Sequence, residues 1–168
     1  GRLLAGPPAG GPMDPAQALP WIQRCLGLAI GGDQARALGT ALGAKVAVIT
    51  GGPGTGKTTI VRGLVELFAA RRIRCRLAAP TGRAAKRLSE ATGREALTLH
   101  RLLEYSPPQG GFLRDASHPL EAGAVIVDEA SMVDVGLMAC LLEALPAEAR
   151  LVLVGDVHQL PAVGPGQV

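Results

Sequence analysis

Aromatic residues are scarce in this chain. Only Trp21, Phe68, Tyr105 and Phe112 occur, 2% of the sequence. Stacking of bases on rings is therefore not expected as a major binding mode, and the core has to be built from Ala, Val, Leu and Ile. Cysteine is almost missing too. Cys25, Cys75 and Cys140 are odd in number and far apart, which excludes a disulfide framework and zinc-site spacing. Cys75 lies in an apolar alternation and reads as a buried thiol. No apolar run is long enough to span a bilayer, and nothing resembles a secretion signal. The expected setting is a reduced cytoplasm, with no membrane partner.

What is present is enough for one domain with a real core: 168 residues, 48% of them hydrophobic. The formal net charge is only +3, but it is uneven. Residues 62–101 hold ten Lys/Arg against three acids, Glu66, Glu90 and Glu95. Such a block fits a polyanionic partner or a solvated face, and charge alone leaves both open.

Residues 1–18 are dense in Gly and Pro and read as a flexible linker or end. Residues 19–28 read as a helix. Gly31 and Gly32 break it, and Asp33 is expected to cap a helix running to Leu42. From Lys45 the pattern alternates strand, turn and helix. KVAVIT is a strand buried on both faces, followed by a helix with Ile60, Val61, Leu64, Val65 and Phe68 at helical spacing. Ile73, Cys75 and Leu77 mark a strand nearer an edge. RAAKRLSEA and TLHRLLEY read as helices, AVIV and RLVLV as strands. The fold class that follows is α/β, a mostly parallel sheet with helices on both faces.

GGPGTGKTT matches the pattern G-x-x-x-x-G-K-[ST] between a strand and a helix. Gly51, Gly52, Pro53, Gly54, Thr55 and Gly56 would turn backbone N–H groups around a phosphate. Lys57 would reach the β- and γ-phosphates, and the Thr58 hydroxyl would ligate Mg²⁺, with Thr59 in the same first turn. VIVDEAS then delivers Asp128 and Glu129 at the carboxyl end of a strand, where ligands bind in open α/β sheets. Asp128 would hold Mg²⁺, and Glu129 would orient and deprotonate a water. Kinases, transporters and motors share such a cradle, so phosphate binding alone names no function.

Four other stretches narrow the class. In APTGRAAKRLSE, Pro80 and Gly82 make a turn, and Thr81 caps the following helix or, with Arg83, Lys86 and Arg87 close by, meets a nucleic-acid phosphate. TLHRLLEY adds Thr98, His100 and Arg101. In GDVHQLPAVG, Gln159 is placed to sense a γ-phosphate. Upstream, the Gln34 amide could read the hydrogen-bonding edge of adenine.

Taken in order, Gln34, GGPGTGKTT, APTGRAAKRL, TLHRLL, VDEASMVD and GDVHQLPAVGPG resemble the first motor domain of RecD-type superfamily 1 DNA helicases. The resemblance covers residues 19–168 and implies a RecA-like P-loop lobe. It implies ATP and Mg²⁺ as ligands, Gln34 on adenine, and hydrolysis by Lys57, Asp128 and Glu129, coupled through Gln159. It implies single-stranded DNA on Pro80, Thr81, Gly82, Arg83, Thr98 and His100, and travel from 5′ to 3′. It implies a strand-splitting hairpin over residues 106–119, with Phe112 near its tip; an ordinary surface loop reads equally well. It also implies a second motor domain, which this sequence does not contain, and for the subunit-type members other exonuclease V subunits as partners. The chain is accordingly expected to be a fragment that does not unwind DNA alone. Two alternatives stay open: another P-loop phosphotransferase, and a nucleotide-binding docking module of an exonuclease complex.

Overall fold

The structure is a computed structural model that describes residues 6–52 and 54–156. Helices α1 (Pro15–Leu26) and α2 (Gly32–Gly43) precede strand β1 (Val46–Thr50) and helix α3 (Lys57–Ala70). Then come β2 (Cys75–Ala79), α4 (Gly82–Thr92), β3 (Ala96–Thr98) and α5 (Leu99–Leu102). A two-stranded hairpin, β4 (Tyr105–Ser106) and β5 (Gly111–Phe112), leads to β6 (Ala124–Val127), α6 (Val135–Ala144) and β7 (Arg150–Gly155).

Five strands form one sheet in the order β1-β7-β6-β2-β3, and every pairing in it is parallel. Side chains alternate across a strand, so β6 divides its burial between two layers. Ala124 and Ile126 join a core with α1, α2 and α3, including Ile22, Leu38, Leu64 and Phe68. Val125 and Val127 join the other core with α5 and α6, including Leu99, Leu103, Leu141 and Leu145. All four strand residues are buried, as expected for a strand covered on both faces. No described helix is long and apolar enough to cross a membrane.

Several expectations are corrected. The first helix begins earlier than residue 19, because the Asp14 side chain accepts from Ala16 N and Pro15 suits the first turn. Residues 6–14 are tied to the domain rather than loose. Arg150, 1% exposed, donates to the carbonyls of Ala9 (3.1 Å), Leu42 (3.1 Å), Ala44 (3.0 Å) and Gly11. Ala9 N also donates to Glu148 O at 2.7 Å. Gly31, not Asp33, caps α2; Asp33 sits in the first turn and pairs with Arg36 at 3.0 Å. The TLHRLLEY helix shrinks to one turn, because Ala96–Thr98 continue the sheet beside β2 and Tyr105 enters the hairpin. β2 is therefore one strand in from the edge. The hairpin starts at Tyr105, before the expected 106–119 segment, and its tip is the turn Pro107–Gln109. Phe112 is not at that tip: it pairs with Tyr105 across the two strands.

Candidate active site

Parallel strands place all their carboxyl ends on one side of the sheet. There β1 opens into the glycine loop, β2 into the turn at Pro80, β6 into Asp128 and β7 into Asp156. The order β1-β7-β6 makes the first, fourth and third of these loops neighbours.

The glycine loop is shaped by backbone. Gly56 caps α3 with φ +80°, a left-handed angle that a side chain would oppose. A Cβ there would also lie 1.9 Å from Gln34 Nε2, so glycine is what lets Gln34 approach. Gln34 uses both ends of its amide: Oε1 accepts from Gly31 N at 3.2 Å and Nε2 donates to Thr55 O at 3.3 Å. Thr55 Oγ1 donates to Gly52 O at 2.9 Å, and Lys57 Nζ donates to the carbonyls of Gly52 (2.9 Å) and Gly51. Gln34, Thr55 and Lys57 line one cavity of about 640 Å³ together with Gly31, Asp33 and Ile60. That volume is in the range of small-molecule and cofactor sites. Thr58 and Thr59 follow Lys57 in the first turn of α3, Thr58 exposed and Thr59 half-buried. Pro53 and Gln159 lie outside the described residues.

Asp128 and Glu129 differ in surroundings. Asp128 N donates to Ala78 O at 2.9 Å, which carries the β6 ladder one residue beyond the strand. Its carboxylate accepts from Glu129 N at 3.0 Å. Burial pushes the Asp128 carboxyl above its ordinary value, opposed by that hydrogen bond and by the Lys57 charge. Glu129 is raised by burial first and the Asp128 charge second; Lys57 and Arg87 pull it down, and Asp156 pushes it up. The Glu129 backbone is left-handed, φ +53°, an angle uncommon for a side-chain-bearing residue. Lys57, Asp128, Glu129, Arg87 and Asp156 thus share one electrostatic field. Asp156, 2% exposed, carries no assigned role in the sequence reading. Its signal was its position, directly after an apolar strand as Asp128 is.

Next to this field lies the second set of predicted residues. The register pairs Ala79 with Thr98, so the ends of β2 and β3 are level. Thr81 Oγ1 accepts from Ala84 N and Thr98 Oγ1 from Arg101 N, each at 3.2 Å, capping α4 and α5. A capping hydroxyl uses its oxygen as acceptor and keeps its proton for another acceptor, so capping and phosphate contact are compatible. Pro80 is half-buried, while Thr81, Gly82, Arg83 and His100 are exposed. His100 packs its ring 5.9 Å from Tyr105 and 5.6 Å from Phe112, centroid to centroid. Tyr105 and Phe112 are themselves 5.2 Å apart. The few aromatic residues are therefore concentrated: two of them form a cluster with His100, which the overall count had concealed.

Comparison with known proteins agrees with this geometry. The AAA domain family matches residues 34–165. The ATP-dependent RecD2 DNA helicase of Deinococcus radiodurans is 44% identical over 164 residues, 98% of this chain and 22% of that protein. The RecBCD enzyme subunit RecD of Mycobacterium tuberculosis is 45% identical over 159 residues, 81% of this chain and 28% of that protein. The chain thus spans about a quarter of the length of these relatives. In fold it is similar to Pif1 of Bacteroides sp., solved in complex with ADP-AlF4, with a TM-score of 0.59 over 82% of this chain and 34% of that one. The parallel sheet, the glycine loop and these matches together show that the chain belongs to the AAA domain family, alongside RecD and RecD2.

Proposed function

We propose that this chain is the ATP-binding motor lobe of a 5′-to-3′ DNA helicase, acting in the cytoplasm, with single-stranded DNA beside the nucleotide. The observation that carries the reading is the shared field of Lys57, Asp128 and Glu129 at one end of the sheet, with the Thr81 and Thr98 hydroxyls at the ends of the next strands. In this reading adenine lies at the Gln34 end of the cavity, and the triphosphate lies along the loop 51–56. Lys57 leaves the Gly51 and Gly52 carbonyls to meet phosphate oxygens. Glu129 accepts the proton of the attacking water, which requires its ionised form; the charges of Lys57 and Arg87 favour that form. Gln159 reports the γ-phosphate.

The donors present fit Mg²⁺. Thr58 and Asp128 offer hard oxygens, and among the described residues no group of three or more His, Cys, Asp or Glu forms a cage that would hold a metal by protein alone. Mg²⁺ takes few protein ligands and shares the rest with phosphate and water. When bound it would neutralise charge on the β- and γ-phosphates.

The second motor domain belongs to the longer protein. If the longer protein is of the RecD subunit type, other exonuclease V subunits are its partners. The test is ATP turnover by the full-length protein. Single-stranded DNA should stimulate it, and Lys57→Ala should reduce it by about a hundredfold to a thousandfold. Turnover indifferent to DNA, or unchanged by Lys57→Ala, would refute the motor reading and favour the phosphotransferase or the docking module.

A further inference from the structure

Gly155 closes β7 and precedes the buried Asp156. Its φ is not left-handed, so the backbone there does not require glycine. Glycine in a strand weakens it, and often marks a place where another backbone comes close. Here the approaching backbone is the turn Ala130–Met132, which Glu129 caps. A Cβ at residue 155 would lie 3.3 Å from Ser131 N and 3.7 Å from both Ala130 N and Ser131 Cβ. The tightest contact is with main chain, which cannot swing aside as a side chain can.

Packing alone joins this turn to the strand. Met132 N donates to Glu129 O at 3.0 Å and Val133 N to Ala130 O at 3.1 Å, both inside the turn. Among the described residues no hydrogen bond runs from residues 129–132 to β7. Ser131 Oγ is buried and has no partner among the described residues. The turn also borders a cavity of about 180 Å³, where Ala130 and Ser131 face Val48, Thr50 and Leu153. Pressed from residue 155, the turn has room to give, and Glu129 would move with it.

We propose that Gly155 is a positioning residue: the side-chain-free end of β7 seats the turn 130–132 and so sets where the Glu129 carboxylate stands. The inference rests on Glu129 as the proton acceptor of the proposed hydrolysis. A general base has to stand within hydrogen-bond reach of the proton it takes, so a displacement of a few tenths of an ångström costs rate. Residue 155 does not line the cavity of Gln34, Thr55 and Lys57, so nucleotide binding is spared.

The test is Gly155→Ala in the full-length protein, with ATP turnover measured in the absence of DNA. Its kcat should fall by about tenfold. KM for ATP should stay within about twofold. The urea midpoint should hold, because alanine loses less backbone entropy in a strand than glycine does. Ser131→Ala is the companion variant. Its hydroxyl has no bond to lose, so kcat should stay within about twofold and the midpoint should hold or rise. A tenfold loss of kcat in Ser131→Ala would show that the hydroxyl, not the seat, positions the turn. An unchanged kcat in Gly155→Ala, a matching rise in KM, or failure of that variant to fold would equally overturn the inference. Glu129→Gln separates it from the reading beneath. If that variant keeps its turnover, both fall; if it loses turnover while Gly155→Ala does not, the seat alone falls.

Discussion

The two ends of the sheet treat buried charge in opposite ways. At the amino end Arg150 is fully buried, and its guanidinium donates to four backbone carbonyls. At the carboxyl end the Asp128 and Glu129 carboxyls are raised by burial and crowd one another. A polar group whose partners all lie within the fold holds the fold together. A polar group kept partly desolvated, with too few partners, is held ready for something that arrives.

The largest test of this contrast is Glu129→Gln in the full-length protein. Turnover should fall by roughly two to four orders of magnitude, since the proposed proton acceptor is gone. Stability without nucleotide should hold or rise, because the amide removes the repulsion with Asp128 and the cost of burying a charge. A variant that loses turnover and also melts markedly earlier would show that Glu129 belongs to the scaffold.

Arg150→Met reverses the pattern. Four carbonyls lose their donor at once, so urea denaturation should show a loss of about 2–4 kcal/mol. Turnover per folded molecule should stay near its original value, because the change lies at the opposite end of the sheet. A selective loss of turnover in a stable variant would break the division between the ends.

What could be read from sequence follows the same division. The carboxyl end was legible because its chemistry is local: Lys57, Asp128 and Glu129 sit within a few residues of the apolar runs KVAVIT and AVIV, although KVAVIT, expected to be buried on both faces, is the edge strand β1 with Val48 exposed. The amino end was opaque because its bonds are long-range. Arg150 reaches carbonyls 106 to 141 residues away in the chain, and nothing near residue 9 or 11 announces that. β3 escaped notice because three residues carry no period, and its existence depends on pairing with β2. The cluster of His100, Tyr105 and Phe112 needed the hairpin register to appear.

A smaller effect probes the field at the carboxyl end. The Arg87 charge lowers the pKa of Glu129, which burial has raised. Removing it in Arg87→Gln leaves Glu129 still higher, so the base form is lost sooner as pH falls. The acidic limb of the turnover profile should therefore move to higher pH, by less than about one unit because Arg87 is exposed. A shift to lower pH would mean that another group sets that limb.

The smallest effect is expected where neither logic applies. Arg36 and Asp33 meet at 3.0 Å, but their side chains are 80% and 96% exposed. Water and salt already solvate both charges, and ordering two exposed side chains offsets much of their attraction. Arg36→Ala should change stability by less than about 0.5 kcal/mol. A close contact between opposite charges is thus a poor guide to importance in this molecule. Arg150 has no carboxylate among its hydrogen-bond partners, yet its loss should cost several times more, because its donors and the carbonyls they reach are shielded from water.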